Sequence, residues 1–110
     1  MRCLLKVFIP VETGNAAISD GSLNKTIESI LSEFKPEAVY FAEENGQRTG
    51  YIFLDVKEPS QIPAIAEPWF LAFNARLELH PAMTVTDLRK AASGIERAVR
   101  NHRRRERRAA

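Results

Sequence analysis

Residues 73–80 read Phe-Asn-Ala-Arg-Leu-Glu-Leu-His, and this alternation constrains the fold more than any other segment of the chain. Successive side chains of a β-strand point to opposite faces of the sheet. The segment is therefore predicted to be a strand with one apolar face and one polar face, the latter carrying Asn74, Arg76, Glu78 and His80. Because the other predicted strands are apolar on both sides, we expect this polar row to line a pocket or a contact with a partner.

Three further segments have the composition of strands. Residues 2–9 form an apolar run that only Lys6 interrupts within its interior, which predicts a central strand. Residues 38–43 and 48–56 are rich in Val, Tyr, Phe and Ile. The four residues 44–47 between them contain Asn-Gly, which readily supplies the positive φ angles of a type I′ turn. These two strands are therefore predicted to form a hairpin.

Apolar residues at helical spacing predict three helices. The first follows a loop predicted for residues 11–21 and ends before Pro36. The second begins at Pro59 and should kink or break near Glu67, because Pro68 lacks an N–H group and clashes with the preceding turn. The third begins at a capping box formed by Thr84-Val85-Thr86-Asp87. Its apolar side chains, expected to face the core, are Leu88, Ala91, Ala92, Ile95 and Val99.

The order of these elements is strand, helix, strand, strand, helix, strand, followed by an added C-terminal helix. This order matches the split βαβ or ferredoxin-like arrangement, an α+β fold with both main helices on one face of an antiparallel sheet. A length of 110 residues fits one domain. We assign residues 1–100 to a ferredoxin-like domain and residues 101–110 to an arginine-rich tail, which is either disordered or a frayed helix end.

The uncovered face of such a sheet predicts self-association. In this arrangement Leu4, Phe8, Tyr51 and Phe53, or their neighbours, share the open face with the polar row. Soluble monomers rarely expose several large apolar groups in one patch. We therefore expect two copies to pack sheet against sheet as a homodimer.

Several classes of site and location are disfavoured by composition. The single Cys3 cannot form an internal disulfide, and there is no cysteine pair to hold zinc. His80 and His102 lie far apart without metal-ligand spacing, and neither Gly-rich nucleotide motif is present. The apolar stretches are too short to cross a bilayer, so no membrane association is expected. The N-terminus lacks the features of a signal peptide, so we expect a cytoplasmic location.

Three segments carry a resemblance to a known superfamily: Pro10-Val11-Glu12-Thr13-Gly14-Asn15, Ala66-Glu67-Pro68-Trp69-Phe70 and His80-Pro81-Ala82-Met83. They resemble segments of small, largely uncharacterised bacterial proteins of the dimeric ferredoxin-like α/β-barrel superfamily. The resemblance implies a fold shared by cofactor-independent monooxygenases, haem-degrading enzymes, lactone isomerases and regulatory proteins. The haem-degrading and quinone-forming members use an asparagine on the first strand, where this chain has Lys6, so none of their catalytic residues is carried over.

The first functional hypothesis is a small-molecule enzyme or binder that needs no cofactor, with its pocket on the sheet face. His80 would be a general acid or base, Glu78 would orient its ring, and Arg76 with Lys6 would hold an anion. Alternatively, His80 simply ends the strand, and Glu78 pairs with Arg76 or Lys6 across the sheet. Further residues expected to line the pocket are Tyr40, Tyr51, Trp69 and Asn74. For Trp69, packing in the core is the alternative.

The second hypothesis rests on the uneven distribution of charge. Residues 97–110 hold seven Arg against one Glu, whereas residues 1–96 hold nine Lys or Arg against thirteen Asp or Glu. An arginine run can neutralise phosphates and bind nucleic acid independently of sequence. The alternative function is therefore a non-catalytic module that assembles with itself or with nucleic acid through the tail. The absence of interleaved aromatic residues and the acidic remainder of the chain argue against nucleic acid.

Overall fold

The computed structural model describes residues 1–104 of the chain. The elements in chain order are β1 (Arg2–Ile9), α1 (Val11–Ser19), α2 (Leu23–Phe34), β2 (Ala38–Glu44), β3 (Gln47–Asp55), a 3-10 turn (Pro59–Gln61), α3 (Ile62–Phe73), β4 (Arg76–Pro81), α4 (Val85–Lys90) and α5 (Ala92–His102).

The four strands form one sheet in the spatial order β2-β3-β1-β4, and every neighbouring pair is antiparallel. This order and connectivity are those of the ferredoxin-like arrangement, with α1 as an additional helix between β1 and α2. The expected α+β class is therefore confirmed. Because β1 and β3 are the central strands, side chains on both of their faces have neighbours on either side.

The core lies between one face of the sheet and the helices. Alternate residues of β1, namely Cys3, Leu5, Val7 and Ile9, are buried on this face. The helices contribute buried apolar side chains to the same cluster: Ala17, Ile30, Ile65, Trp69 and Phe73. The rings of Trp69 and Phe73 stack with their centroids 6.3 Å apart. The alternation of β1 thus fixes which face of the sheet the helices cover.

The predicted hairpin is confirmed. Asn45 and Gly46 connect β2 to β3 with φ angles of 54° and 77°. Both positions of the turn therefore have the positive φ that a type I′ turn requires and that Asn-Gly adopts at low cost.

Two predicted interruptions are helical in the structure. Residues 11–19 form α1 rather than a loop, because tertiary contacts outweigh the low helix propensity of Gly14 and Asn15. The Thr13 hydroxyl, for example, donates to the Phe73 carbonyl at 2.6 Å. A kink or an early break was expected near Glu67; helix α3 continues through Pro68 to Phe73, so it does not break there. We attribute its continuation to the buried side chains that follow Pro68, which offset the missing N–H donor.

The polar-faced strand is shorter than predicted. Phe73 is the last residue of α3, and Asn74 caps that helix in the left-handed conformation with φ 57°. Ala75 is buried, and β4 begins at Arg76. Phe73 and Leu77 are four residues apart, a spacing that fits one side of a helix as well as one face of a strand. Alternation alone therefore placed the start of the strand too early.

The C-terminal helices lie apart from the core. The capping box is confirmed, since Thr84 and Asp87 exchange backbone-to-side-chain hydrogen bonds at 2.9 and 3.0 Å. However, every residue from 83 to 104 is exposed, so the expectation that this helix faces the core is wrong. The apolar residues concerned are Leu88, Ala91, Ala92, Ile95 and Val99. The Cα radius of gyration is 19.5 Å, against about 13 Å for a compact chain of this length.

We refer to residues 85–102, which comprise α4 and α5, as the arm. Residues 105–110, the end of the predicted arginine-rich tail, lie outside the described residues. Among residues 1–104, no helix is long and apolar enough to span a membrane.

The position of Trp69 leads to a first prediction. Its side chain is 1% exposed, so Trp69→Ala should lower the free energy of unfolding by about 3–5 kcal/mol, as is typical of large cavities in cores. Leu71→Ala on the same helix is the control, because Leu71 is 83% exposed and should change stability by less than about 0.5 kcal/mol. Urea denaturation followed by circular dichroism measures both values. Equal values for the two variants would contradict the core position of Trp69.

Candidate functional site

The face of the sheet opposite the helices, here called the open face, carries a row of polar side chains across all four strands. The strand register places Tyr40 opposite Tyr51, Tyr51 opposite Lys6, and Lys6 opposite Glu78. Directly opposed residues in antiparallel strands have Cβ atoms about 4.5–5.5 Å apart. The fold thus aligns four chemically active residues that lie up to 72 positions apart in the sequence.

Lys6 lies at the centre of this row. Its Nζ atom is 2.9 Å from Oε2 of Glu44 and 4.0 Å from Oε1 of Glu78. The ammonium group also lies 5.1 Å from the ring centroid of Phe8 and 5.6 Å from that of Tyr51. Its side chain is only 19% exposed. Two carboxylates and two aromatic faces therefore replace part of the water around this cation.

Glu78 is the second residue of this row that contacts several polar side chains. Nη1 of Arg76 donates to Oε2 of Glu78 at 2.6 Å, and Nε2 of His80 lies 3.2 Å from Oε1 of the same carboxylate. The Arg76 guanidinium also stacks 4.0 Å from the ring centroid of Phe8. The structure thus brings together the predicted His80–Glu78 pair, and it also contains the alternative pairing of Glu78 with Arg76 and Lys6. The catalytic roles suggested for His80 and Glu78 stay predictions.

We call these six side chains the polar cluster: Lys6, Glu44, Tyr51, Arg76, Glu78 and His80. Hydrogen bonds shift the pKa of three of its members. The Tyr51 hydroxyl donates to Glu44, and this bond together with Lys6 holds the pKa of Glu44 below its usual value. The same carboxylate raises the pKa of Tyr51. Arg76, followed by His80, lowers the pKa of Glu78.

The formal charges of the polar cluster balance. Lys6 and Arg76 carry two positive charges, and Glu44 and Glu78 carry two negative charges when His80 is neutral. Both cations therefore already hold carboxylates, and an incoming anion would have to displace one of them. Within residues 1–104, no three His, Cys, Asp or Glu side chains are grouped as a metal site requires.

The other predicted pocket residues lie at different distances from the polar cluster. Tyr40 is beside Tyr51 on the edge strand β2, and its side chain is 67% exposed. Trp69 lies in the core beneath the opposite face of the sheet. Asn74 is exposed where α3 ends. The structure therefore does not bring Trp69 or Asn74 to the polar cluster, and the position of Trp69 agrees with the alternative of core packing.

Sequence reasoning missed Glu44, which it assigned to the hairpin turn. Glu44 is the last residue of β2, and it shares the open face with Tyr40 because the two are four residues apart on one strand. Counting every second residue from Tyr40 into the predicted turn would have placed Glu44 on the same face of the sheet.

A second missed feature is a cleft of about 710 Å³ on the helix side of the sheet, between α2 and the end of the β2–β3 hairpin. We call it the hairpin cleft. Its larger apolar lining residues are Ile9, Val11, Leu23, Ile27, Leu31 and Phe41. Glu28, Glu43 and Arg48 are among its polar lining residues. The sequence indicated Ile9 and the apolar residues of α2 as core, since spacing does not show where a helix stands away from the sheet.

Comparison with known proteins adds little. No protein-family model and no curated protein matches the sequence. Among solved structures, the chain is similar to one titled "De novo designed protein Ferredog-Diesel", with 9% sequence identity and a TM-score of 0.44 over 74% of this chain and 85% of that one. A likeness at this level carries no argument about function.

The pKa shifts lead to a second prediction. Tyr51→Phe removes the largest cause of the lowered pKa of Glu44, so that pKa should rise towards its ordinary value. In the unmodified protein, the stabilisation from ionised Glu44 is fully present above the ordinary carboxyl pKa and is lost as the pH falls through the lowered one. Carboxyl-detected NMR titration measures both variants. Asp87 is the internal control, because its lowered pKa derives mainly from Thr84 in the arm's capping box and should not change.

Proposed function

We propose that the protein is a homodimeric small-molecule-binding protein whose ligand site is the polar cluster, enclosed when two open faces pack together. The observation that carries this proposal is the environment of Lys6. A largely covered ammonium group between two carboxylates and two rings is an unusual feature for the surface of a sheet that is simply exposed to water.

The apolar residues around the polar cluster support dimerisation. Leu4 and Phe53 face each other on adjacent strands of the open face, and both are partly exposed. Tyr40 and Tyr51 extend this apolar area towards β2. Burying such a patch against a second copy removes it from water, which is the main favourable term in association. The sequence resemblance to the dimeric α/β-barrel superfamily agrees with this arrangement.

The balance of charge indicates the class of ligand. A neutral cluster offers hydrogen-bond donors on Lys6 and Arg76 and acceptors on Tyr51, Glu44 and Glu78, without an excess of either sign. An uncharged aromatic molecule with one or two hydroxyl groups matches both the donors and the rings. A carboxylate ligand would instead compete with the carboxylates that the two cations already hold. We therefore propose a phenol-like ligand rather than the anion expected from the sequence.

The geometry of His80 supports proton exchange with such a ligand. When Nε2 carries the proton and donates it to Glu78, Nδ1 keeps a lone pair that can accept a hydroxyl proton. Glu78 then orients the ring. In this proposal Glu78 is a positioning residue and His80 is the group that contacts the ligand.

A third prediction tests ligand binding. Phenol and catechol, titrated into the ¹⁵N-labelled full chain, should shift the amide signals of Lys6, Tyr51 and His80, and benzoate should bind at least tenfold more weakly. Glu78→Gln should weaken catechol binding, since the uncharged amide disturbs the balance of the cluster. Glu67→Gln is the matched control on the exposed surface of α3 and should bind as the unmodified protein does.

Two results would contradict the proposal. One is that no phenol shifts these three signals at millimolar concentration. The other is that benzoate binds more tightly than catechol, which would restore Arg76 and Lys6 as an anion clamp.

A further inference from the structure

The arm presents an apolar stripe that nothing in residues 1–104 covers. Val85 and Leu88 lie three residues apart on α4, and Ala92, Ile95 and Val99 lie three and four apart on α5, so each group occupies one side of its helix. The four larger side chains among them are between 46% and 67% exposed. A helix of this kind obtains most of its stability from packing its apolar side. The arm therefore needs a surface to pack on.

The hairpin cleft is an apolar surface that also lacks a cover. Phe41 and Val11 at its opening are 52% and 46% exposed, and Leu23, Ile27 and Leu31 along α2 are half-buried. Its volume of about 710 Å³ falls in the range of cavities that enclose a ligand or several side chains. The cleft follows α2, so its long direction suits another helix.

The charges of the two surfaces are complementary. Residues 1–84 hold seven Lys or Arg against eleven Asp or Glu, a net of −4. Residues 85–104 hold six against two, a net of +4. Glu28 and Glu43 lie at the cleft with one opposing charge from Arg48, which leaves its lining with a net of −1. On the arm, Arg89 and Arg100 border the apolar stripe together with Glu96, whereas Arg97 lies on the opposite side of α5.

We propose that the arm of one copy packs its apolar stripe into the hairpin cleft of a second copy, with arm arginines beside Glu28 and Glu43. The arm begins far from the cleft of its own chain. It leaves the sheet next to Arg2, to whose carbonyl Ala82 donates, whereas the cleft adjoins Ile9 at the other end of β1, about 23 Å away. The arm also follows β4 and the cleft borders β2, which are opposite edges of the sheet.

The proposed packing of one copy's arm into the other copy's hairpin cleft is called arm exchange here. It uses the helix side of the sheet, so it is independent of the proposed packing of two open faces. The two proposed contacts can be disrupted separately. A charge introduced on the open face by Phe53→Glu should disrupt the packing of the two sheets and leave the arm in the hairpin cleft.

Disulfide trapping between two full-length preparations tests the proposal. One preparation carries Phe41→Cys and an affinity tag, and the other carries Ile95→Cys. Native Cys3 is kept in both, because it is buried. After mixing and mild oxidation, we expect a mixed disulfide dimer in at least tenfold greater yield than with Ser93→Cys in place of Ile95→Cys. Ser93 is the matched control, because it lies on the opposite side of the same helix.

The outcomes separate the alternatives. Mixed dimers at equal yield from the Ile95 and Ser93 variants, or none from either, would overturn the proposal. A chain carrying both Phe41→Cys and Ile95→Cys that closes within itself at high dilution would show that the arm folds back on its own cleft. Co-sedimentation of the unmodified protein with phosphatidylserine vesicles, without trapping, would show that the stripe binds a lipid surface instead. Trapping that persists in the Phe53→Glu background would support arm exchange independently of the open face.

Discussion

Helices cover only one face of the sheet, and the rest of the structure follows from this constraint. The central strand β1 buries Cys3, Leu5, Val7 and Ile9 against the helices and turns Leu4, Lys6 and Phe8 to the other side. A central strand of this composition is typical of a sheet covered on both faces. The open face is therefore the surface on which we propose that a second copy packs.

The polar cluster is a consequence of placing Lys6 in that strand. Removing a lone cation from water is costly, and the cost falls only when counter-charges and other polar partners replace the water. Glu44, Tyr51 and Glu78 supply these partners from three different strands. The charges of Lys6, Arg76, Glu44 and Glu78 thereby cancel, and this balance is the basis of the proposed uncharged ligand.

The parts of the fold that depend on local chemistry were predictable from the sequence, and those that depend on packing were not. The Asn45-Gly46 turn and the Thr84 capping box are set by neighbouring residues, and both are confirmed. The alternation around Glu78 placed that residue beside His80, but it did not reveal Glu44, which reaches the site through strand pairing. The stripe of the arm predicted a helix, although spacing shows only that one side is apolar and not what covers it.

Both proposals require two copies of the chain, one through the open face and the other through the arm. The molar mass in solution, measured by sedimentation equilibrium on the unmodified full-length protein, tests this requirement most directly. One chain has a mass of 12.4 kDa. The account predicts a mass of two chains at micromolar concentration. A mass of 12.4 kDa that does not change as the concentration is raised into the millimolar range would contradict it.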